Sequence, residues 1–202
     1  MSNSKNALIL FAKSPRLGGV KTRISTSLGK EKALAIYEQL LKLNCDLCSS
    51  FNGSKYIFWD QIPEGAWSEM RQNFKFVLQL GTDLGKKMEN AFSHLFKQGY
   101  QKIILIGTDC PYLSMEDLER AFAVLSKQEL VLGPAEDGGY YMIGMKSLHP
   151  SLFEGISWST SKVLAQTIHK LETRGVSFEL LPTYSDIDTE KDYQRWLDTF
   201  TS

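Results

Sequence analysis

"LGKKMENAFSHLFKQGYQKIILIGTDCPYLSMEDLERAFAVLSK", residues 84–127, places a short apolar run between two amphipathic segments. Apolar side chains recur every three or four residues over 84–99 and again over 114–127, which predicts two helices, with Ser114 as the N-cap of the second. The run "KIILIG" at 102–107 is apolar after its first residue, as in a strand that is buried on both faces of a sheet. This helix–strand–helix order predicts an α/β protein.

The rest of the chain repeats the same alternation of elements. Because strands that alternate with helices form layered folds, the pattern predicts a three-layer α/β/α sandwich with a mainly parallel mixed sheet, built as a single domain over residues 1–202. The further predicted strands cover 7–12, 55–60, 74–79, 129–134, 140–145 and 177–182, and the further helices cover 30–51, 159–175 and 189–200.

Composition and charge narrow the class of protein. The chain carries 23 Lys and Arg residues and 23 Asp and Glu residues, so the broad basic face of a general nucleic-acid binder is not expected. No apolar run reaches the roughly 18 residues of a membrane span, and the first residues lack the apolar core of a secretory signal. Cys45 and Cys48 fall on one helical face with Tyr37 and Leu41, which predicts buried thiols rather than a metal or redox pair. Free thiols suit a reducing cytoplasm, which we take as the expected location.

Cations are concentrated in one loop directly after the first predicted strand. The segment "FAKSPRLGGVKTR", residues 11–23, holds Lys13, Arg16, Lys21, Arg23 and two adjacent glycines. Its order of residues matches neither a Walker A loop nor a dinucleotide fingerprint. α/β sheets bind ligands beyond the carboxyl ends of their strands, so the loop is predicted to hold an anion, most simply a phosphate. A solvated surface loop is the alternative.

Two acidic residues follow later strands. Asp109 comes directly after the strand at 102–107 and either caps the next helix or binds a cation. Because Ser114 is better placed to cap, cation binding is favoured, and Mg²⁺ is commonly held by one or two carboxylates together with substrate phosphates. Asp137 precedes two glycines, a sequence typical of a tight turn, which can also bring a backbone close to a ligand.

The last third of the chain adds two further candidate segments. Ser159 or Thr160 is a plausible start for the helix predicted there, and such a helix start is a second possible anion site. In "SDIDTEKD", residues 185–192, Thr189 and Asp192 have the spacing of a capping box. Asp188 alternates with its neighbours on an extended segment and is predicted to face the same site as Asp109.

Six segments in chain order carry a resemblance to a known group of proteins. The chain resembles the nucleotide-diphospho-sugar transferase superfamily, which has the glycosyltransferase A fold. Within it, the chain is most similar to the bacterial DUF2064 family of glycosyltransferase-like proteins. The segments are "FAKSPRLGGVKTR" (11–23), "QLGTDLGKKM" (79–88), "IGTDCPYL" (106–113), "GPAEDGGYYMIG" (133–144), "ISWST" (156–160) and "DIDTEKD" (186–192).

The resemblance implies a role for particular residues of this chain. The first loop would surround the nucleotide phosphates, a Gln-x-Gly-Thr segment would hold the base, and two acids would bind Mg²⁺ or Mn²⁺. The implied nucleotide-binding residues are Lys13, Gly18, Gly19, Lys21, Arg23, Gln79, Gly81 and Thr82, and the implied metal ligands are Asp109 and Asp188.

The activity that the resemblance implies is a metal-dependent transfer from a nucleotide sugar to a small-molecule acceptor. Lys21, Asp109 and Asp137 are the candidate catalytic residues, with Asp137 orienting the acceptor, acting as a base, or serving only as a turn residue. Related nucleotidyltransferases begin with "LAAGxGTR", whereas this chain has Lys13-Ser14-Pro15 at the turn. Because the chain departs from that opening, nucleotidyl transfer with release of pyrophosphate is an alternative rather than the leading hypothesis. A non-catalytic nucleotide-binding module is another alternative. The oligomeric state is left open.

Overall fold

A computed structural model describes residues 5–200. Its centre is a sheet whose strands agree with the predicted apolar runs to within a few residues at each end. The strands are β1 (Asn6–Ala12), β2 (Ser54–Trp59), β3 (Lys75–Leu78), β4 (Lys102–Ile106), β5 (Leu130–Pro134), β6 (Tyr140–Met145) and β7 (Phe178–Leu180).

Helices connect most of these strands. The segments Gly65–Gln72 and Pro150–Leu152 are short 3₁₀ turns. The α-helices are α1 (Thr22–Leu28), α2 (Lys30–Ser49), α3 (Leu84–Lys97), α4 (Met115–Val124), α5 (Val163–Thr173) and α6 (Glu190–Asp198). The sequence did not predict α1. No helix between residues 5 and 200 combines the length and apolarity needed to cross a bilayer.

The sheet is mixed and mainly parallel. Across residues 5–200 its order is β3-β2-β1-β4-β6-β5-β7, and only β6 runs antiparallel to its neighbours. The predicted fold class is therefore confirmed. The other strands all end at one edge of the sheet, which is also where β6 begins, so the loops after β1, β4, β5 and β7 meet there.

Helices cover both faces of the sheet, because successive strand residues point to opposite sides. Leu8 and Leu10 of β1 pack with α2 and α4, whereas Ala7 and Ile9 pack with α3 and α5. A third apolar cluster, centred on Ile24, joins α1 to α2 and α6. The three-layer arrangement holds the loops at the carboxyl edge in fixed relative positions.

The predicted N-cap at Ser114 and the predicted buried thiols are present. Ser114 and Asp117 form a reciprocal cap at the start of α4. Cys45 and Cys48 lie on the buried face of α2, and both thiols are free. Burial raises the pKa of Cys45 to about 12 and also raises the pKa of Cys48. A thiol with so high a pKa holds its proton and is a poor nucleophile.

We therefore expect the folded protein to react slowly with a thiol reagent such as Ellman's reagent at pH 8. Cys110 is also buried, with its pKa raised to about 12 by burial, so all three cysteines are expected to be protected. The measurement compares thiol release in buffer with that in guanidinium, where labelling should be at least about a hundredfold faster. Rapid labelling of even one thiol in buffer would contradict this burial.

Candidate active site

A cleft of about 610 Å³ opens at the carboxyl edge of the sheet. Its walls come from the loop between β1 and α1, the loop after β4, the turn between β5 and β6, the segment 156–163 and the segment after β7. The predicted site residues that line it are Lys13, Lys21, Arg23, Gln79, Asp109, Asp137 and Asp188. Gly18, Gly19, Gly81 and Thr82 are not among the lining residues.

Lys21 is at the centre of the charged part of the cleft. Its Nζ lies 2.7 Å from Oδ1 of Asp109 and 3.6 Å from Oδ1 of Asp188, and it also donates a hydrogen bond to the carbonyl of Ile187 at 2.5 Å. The Lys21 side chain is only 4% exposed. Arg23 is mostly exposed and lies 3.3 Å from the other carboxylate oxygen of Asp188. Two predicted cations and two predicted acids therefore meet directly.

One backbone contact explains why Asp188 lies beside Asp109 although the two are far apart in the sequence. The amide of Ile187 donates to the carbonyl of Asp109 at 2.9 Å, so the segment after β7 runs alongside the segment after β4. Ile187 is fully buried, which fixes the register of this segment. Thr189 and Asp192 form the predicted capping box immediately afterwards and start α6 at a defined point.

Asp186 is a site residue that the sequence analysis did not select. Its Oδ1 is enclosed and makes no hydrogen bond with the described part of the chain. Burial, followed by the nearby carboxylates of Asp109, Asp137 and Asp188, raises the pKa of Asp186 to about 7. The Asp-x-Asp spacing contained the signal, since residues two apart on an extended segment point to the same side.

The carboxylates of this cleft fit a divalent cation. The cleft carries more negative charge than Lys21 and its neighbour Arg23 neutralise, since four carboxylates line it: Asp109, Asp137, Asp186 and Asp188. Burial raises the pKa of Asp188, although Lys21 opposes the shift. An enclosed carboxylate oxygen without a partner is a hard donor of the kind that Mg²⁺ and Mn²⁺ prefer. Within residues 5–200 no three acidic, His or Cys side chains are already arranged around a common point. Substrate phosphates would therefore have to supply the remaining ligands.

The loop between β1 and α1 is fixed by two sets of contacts, one to the buried Tyr37 and one to the partly exposed Asp60. The hydroxyl of Tyr37 accepts from the amide of Lys13 at 2.8 Å and donates to its carbonyl at 2.7 Å. Asp60 accepts from the amide of Ser14 at 2.6 Å and pairs with Arg16 at 2.9 Å. Arg16 is thus a structural cation of the loop. These contacts give the Lys-Ser-Pro turn a defined conformation.

Tyr37→Phe is expected to destabilise the protein by about 1–3 kcal/mol, because it leaves the amide and carbonyl of Lys13 without their buried partner. Burial raises the pKa of Tyr37 well above its usual value, so the hydroxyl stays protonated across the pH range of the measurement. Urea unfolding followed by circular dichroism measures the change. Tyr193→Phe is the matched control, since no hydrogen bond of the Tyr193 hydroxyl occurs within residues 5–200. Equal midpoints for the two variants would show that the anchor contributes nothing.

Gln79 and Gly81 have structural roles in addition to the predicted nucleotide contacts. The side-chain amide of Gln79 donates to the carbonyls of Ala12 at 2.9 Å and Phe58 at 2.8 Å, which joins the ends of β1 and β2. Gly81 has φ +147° and sits so close to the backbone amide of Lys87 that a side chain would not fit. Contact of Gln79 and Gly81 with a nucleotide base remains a prediction. For Gln79 the side-chain amide oxygen would make this contact, because its amide nitrogen already donates two hydrogen bonds.

Asp137 occupies the predicted turn between β5 and β6. Its Oδ1 accepts from the amide of Gly139 at 2.8 Å, and the amide of Gly138 donates to Ala135 at 3.0 Å. The tight turn is therefore confirmed. The residue is exposed and lines the cleft, so its second carboxylate oxygen is accessible to a ligand.

The predicted helix start at Ser159 or Thr160 is wrong. α5 begins at Val163, with Lys162 as its N-cap residue. Ser159 has a left-handed backbone with φ +62°, and the hydroxyl of Thr160 donates to the carbonyl of Ser157 at 2.7 Å. Both features belong to a separate turn that stands in place of the first helical turn. The anion site expected at that helix start is accordingly not formed there, although Ser159 and Thr160 do line the cleft.

The fold is that of the nucleotide-diphospho-sugar transferase class. A crystal structure of a protein from Desulfovibrio desulfuricans G20, described as a "putative nucleotide-diphospho-sugar transferase", superposes with a TM-score of 0.90. The two sequences are 29% identical over 97% of this chain and 87% of that chain. Residues 46–160 match the family described as "Uncharacterized protein conserved in bacteria (DUF2064)". The chain belongs to this family, which confirms the resemblance that the six segments carry.

More distant structures share the fold. CMP:2-keto-3-deoxy-manno-octonic acid synthetase in complex with CTP has a TM-score of 0.60 at 11% identity, covering 98% of this chain and 99% of that chain. Rv0371c from Mycobacterium tuberculosis H37Rv, in complex with manganese, has a TM-score of 0.56 at 16% identity, covering 96% and 98%. A comparison with curated proteins found no match.

Proposed function

We propose that the chain is a single-domain, divalent-metal-dependent transferase that moves a sugar from a nucleotide-diphospho-sugar to a small-molecule acceptor. One observation carries the proposal: the buried Lys21 ammonium and the carboxylates of Asp109 and Asp188 meet at the carboxyl edge of the sheet. That edge is where α/β sheets of this kind bind their ligands. Such a pairing of opposite charges suits a ligand that is itself a phosphate–metal pair.

The proposed roles follow from the position of each group. Asp109 and Asp188 would hold Mg²⁺ or Mn²⁺, which supplies charge neutralisation on the diphosphate when bound. Lys21 donates hydrogen bonds to the oxygens on which negative charge develops as the leaving group departs, and Arg23 assists from the exposed side. Lys13 approaches the nucleotide from the same loop. Electrostatic stabilisation of this kind accounts for much of the catalysis in phosphate chemistry.

The bond changes of a glycosyl transfer can be assigned to these groups. The acceptor oxygen attacks the anomeric carbon of the sugar, the bond from that carbon to the phosphate oxygen breaks, and the nucleoside diphosphate leaves. The proton of the acceptor hydroxyl passes to a base. Asp137 is the proposed base, because its carboxylate lines the cleft and lies in a tight turn that fixes its backbone.

A second candidate function is nucleotidyl transfer, in which a phosphorylated acceptor attacks a nucleoside triphosphate and pyrophosphate leaves. The supporting observation is that two exposed cations, Lys13 and Arg23, line the cleft in addition to the buried Lys21. Three cations suit a triphosphate as well as a diphosphate. The resemblance to a structure solved with CTP shows the fold alone and does not choose between the two reactions.

A screen of melting temperature tests the proposed function first. Nucleoside diphosphates, triphosphates and nucleotide sugars are each added with Mn²⁺, with Mg²⁺ and with EDTA, because a ligand that binds only the native state raises the melting temperature. We expect stabilisation by nucleotide sugars that depends on metal, and release of nucleoside diphosphate on incubation with an acceptor panel. Release of pyrophosphate from a triphosphate would favour the second candidate. Binding without turnover of either kind would support the non-catalytic alternative, and no stabilisation at all would refute nucleotide binding.

A further inference from the structure

The segment 156–163 spans one side of the cleft and is packed at both ends against glycines. The indole of Trp158 lies directly on Gly85 in the first turn of α3, where any side chain would collide with it. At the other end, Gly138 has φ +87° and sits against the carbonyl of Ser161, where again no side chain would fit. The amide of Leu164 also donates to the carbonyl of Gly138 at 2.9 Å. The segment therefore has one defined position between α3 and the turn that carries Asp137.

A strained residue lies in the middle of this segment. Within residues 5–200, Lys21 and Ser159 are the non-glycine residues with positive φ, and both line the cleft. A left-handed backbone costs such a residue about 1–2 kcal/mol. Strain of this kind persists where the surrounding structure enforces it, and it is concentrated at functional sites. Ser159 thus shares its left-handed backbone with Lys21, which is central to the proposed chemistry.

Trp158 and Ser159 of this segment, together with Asp137 of the adjacent turn, form one wall of the cleft, which we call the Trp158 wall. Its side chains have unused hydrogen-bonding groups. Neither the indole N–H of Trp158 nor the hydroxyl of Ser159 makes a hydrogen bond to another part of the chain between residues 5 and 200. Asp137 uses one carboxylate oxygen for its turn and presents the other to the cleft. An aromatic face together with a carboxylate and a hydroxyl is complementary to a ring that has one apolar C–H face and several hydroxyl groups.

The position of this wall relative to the proposed phosphate site also follows from backbone contacts. Ala135, two residues before Asp137, pairs with Tyr184, two residues before Asp186. The turn between β5 and β6 therefore runs beside the segment that brings Asp188 to Lys21. If a nucleotide binds with its terminal phosphate at Lys21, a group joined to that phosphate would lie beside Trp158, Ser159 and Asp137.

We infer that Trp158, Ser159 and Asp137 form the subsite for the sugar ring carried by the terminal phosphate of a nucleotide. The inference rests on the proposed function, since it needs the nucleotide phosphates to be held at Lys21. Beyond the nucleotide phosphates, it names the sugar ring as a group that the cleft recognises. It also assigns Trp158 a role in binding the transferred sugar.

Calorimetric titration with matched ligand pairs tests the subsite. UDP and UDP-glucose, GDP and GDP-mannose, and dTDP and dTDP-glucose are each titrated in Mn²⁺ into the wild type, Trp158→Ala, Trp158→Phe and Asp137→Asn. Trp158→Ala is expected to weaken binding of the preferred nucleotide sugar about tenfold and to leave its nucleoside diphosphate within about twofold. Trp158→Phe should restore most of the loss, because an aromatic face remains. Asp137→Asn keeps an oxygen for the turn and should also weaken only the nucleotide sugar.

Trp67→Ala is the matched control, since Trp67 is also partly buried but is not among the lining residues. It should change neither affinity. Equal weakening of both ligands by Trp158→Ala, or no weakening of either, would overturn the subsite while leaving the proposed function intact. Failure of the wild type to bind any nucleoside diphosphate with metal would instead overturn the proposed function, and the subsite with it.

Discussion

Asp109→Asn is expected to lower turnover by a factor of about 10³, the scale observed when one preorganised electrostatic group is removed from an active site. The substitution keeps the size of the side chain and replaces a charged oxygen by an amide. Asp109 is the acid closest to Lys21, at 2.7 Å, and it lies in the loop that follows the central strand β4. An amide at this position binds a divalent cation far more weakly than a carboxylate does, because Mg²⁺ and Mn²⁺ prefer charged oxygen ligands.

For Asp109→Asn, nucleotide binding and metal binding are measured in addition to turnover. We expect the metal-dependent rise in melting temperature that a nucleotide sugar gives in the wild type to be lost in Asp109→Asn. Asp46→Asn is the control, because Asp46 is an exposed acid whose ion-pair partner within residues 5–200 is Lys42, one turn away on α2. That variant should behave as the wild type. An Asp109→Asn protein that still turns over at the wild-type rate in Mn²⁺ would exclude Asp109 as a metal ligand.

The fold was predictable because its elements are long and strongly patterned. The apolar run of β4 and the regular faces of α3 and α4 determine the local structure with little help from the rest of the chain. α1 escaped prediction for the opposite reason. Its sequence, "TRISTSL", has a single buried residue, Ile24, and several residues that favour other conformations. This helix is held by packing on α2 and α6, which no local pattern reveals.

The candidate site was predictable only at the level of strand ends. Residues that follow strands of a parallel sheet must meet at one edge, so the sequence alone is enough to place Lys21, Asp109 and Asp188 together. Direct contact between these side chains depends on the backbone hydrogen bond from the amide of Ile187 to the carbonyl of Asp109. This hydrogen bond joins residues far apart in the sequence. The start of α5 was misplaced because Ser159 and Thr160 are good capping residues by type, yet their side chains and backbone form a separate turn.

Lys21→Met is expected to destabilise the metal-free protein by about 2 kcal/mol. Removing one partner of a fully buried ion pair costs roughly 3–5 kcal/mol, and the partial exposure of Asp109 and Asp188 reduces that figure. Methionine matches the length of lysine and has no greater difficulty with the left-handed backbone at this position. The loss would therefore come from the missing charge, which leaves three neighbouring carboxylates and the carbonyl of Ile187 without their buried cation.

The same charge argument predicts a rescue by divalent cations. If Asp109 and Asp188 hold the metal as proposed, an incoming Mn²⁺ would compete with the ammonium of Lys21 in the wild type, whereas in Lys21→Met it would meet the carboxylates alone. We expect Mn²⁺ without nucleotide to bind the variant about tenfold more tightly, and to restore most of the lost stability in urea unfolding. Turnover should nevertheless fall, because the metal does not replace the hydrogen bonds that Lys21 is proposed to give the leaving group.

Lys42→Met separates this effect from the general loss of one positive charge. Lys42 is exposed and pairs with Asp46, so its removal should cost less than about 1 kcal/mol and leave the response to Mn²⁺ unchanged. Equal stabilisation of the wild type and Lys21→Met by Mn²⁺ would mean that the ammonium and the metal occupy separate places. Lys21 would then act on the phosphates alone, and the two carboxylates would be held together by the backbone contact of Ile187 and not by charge.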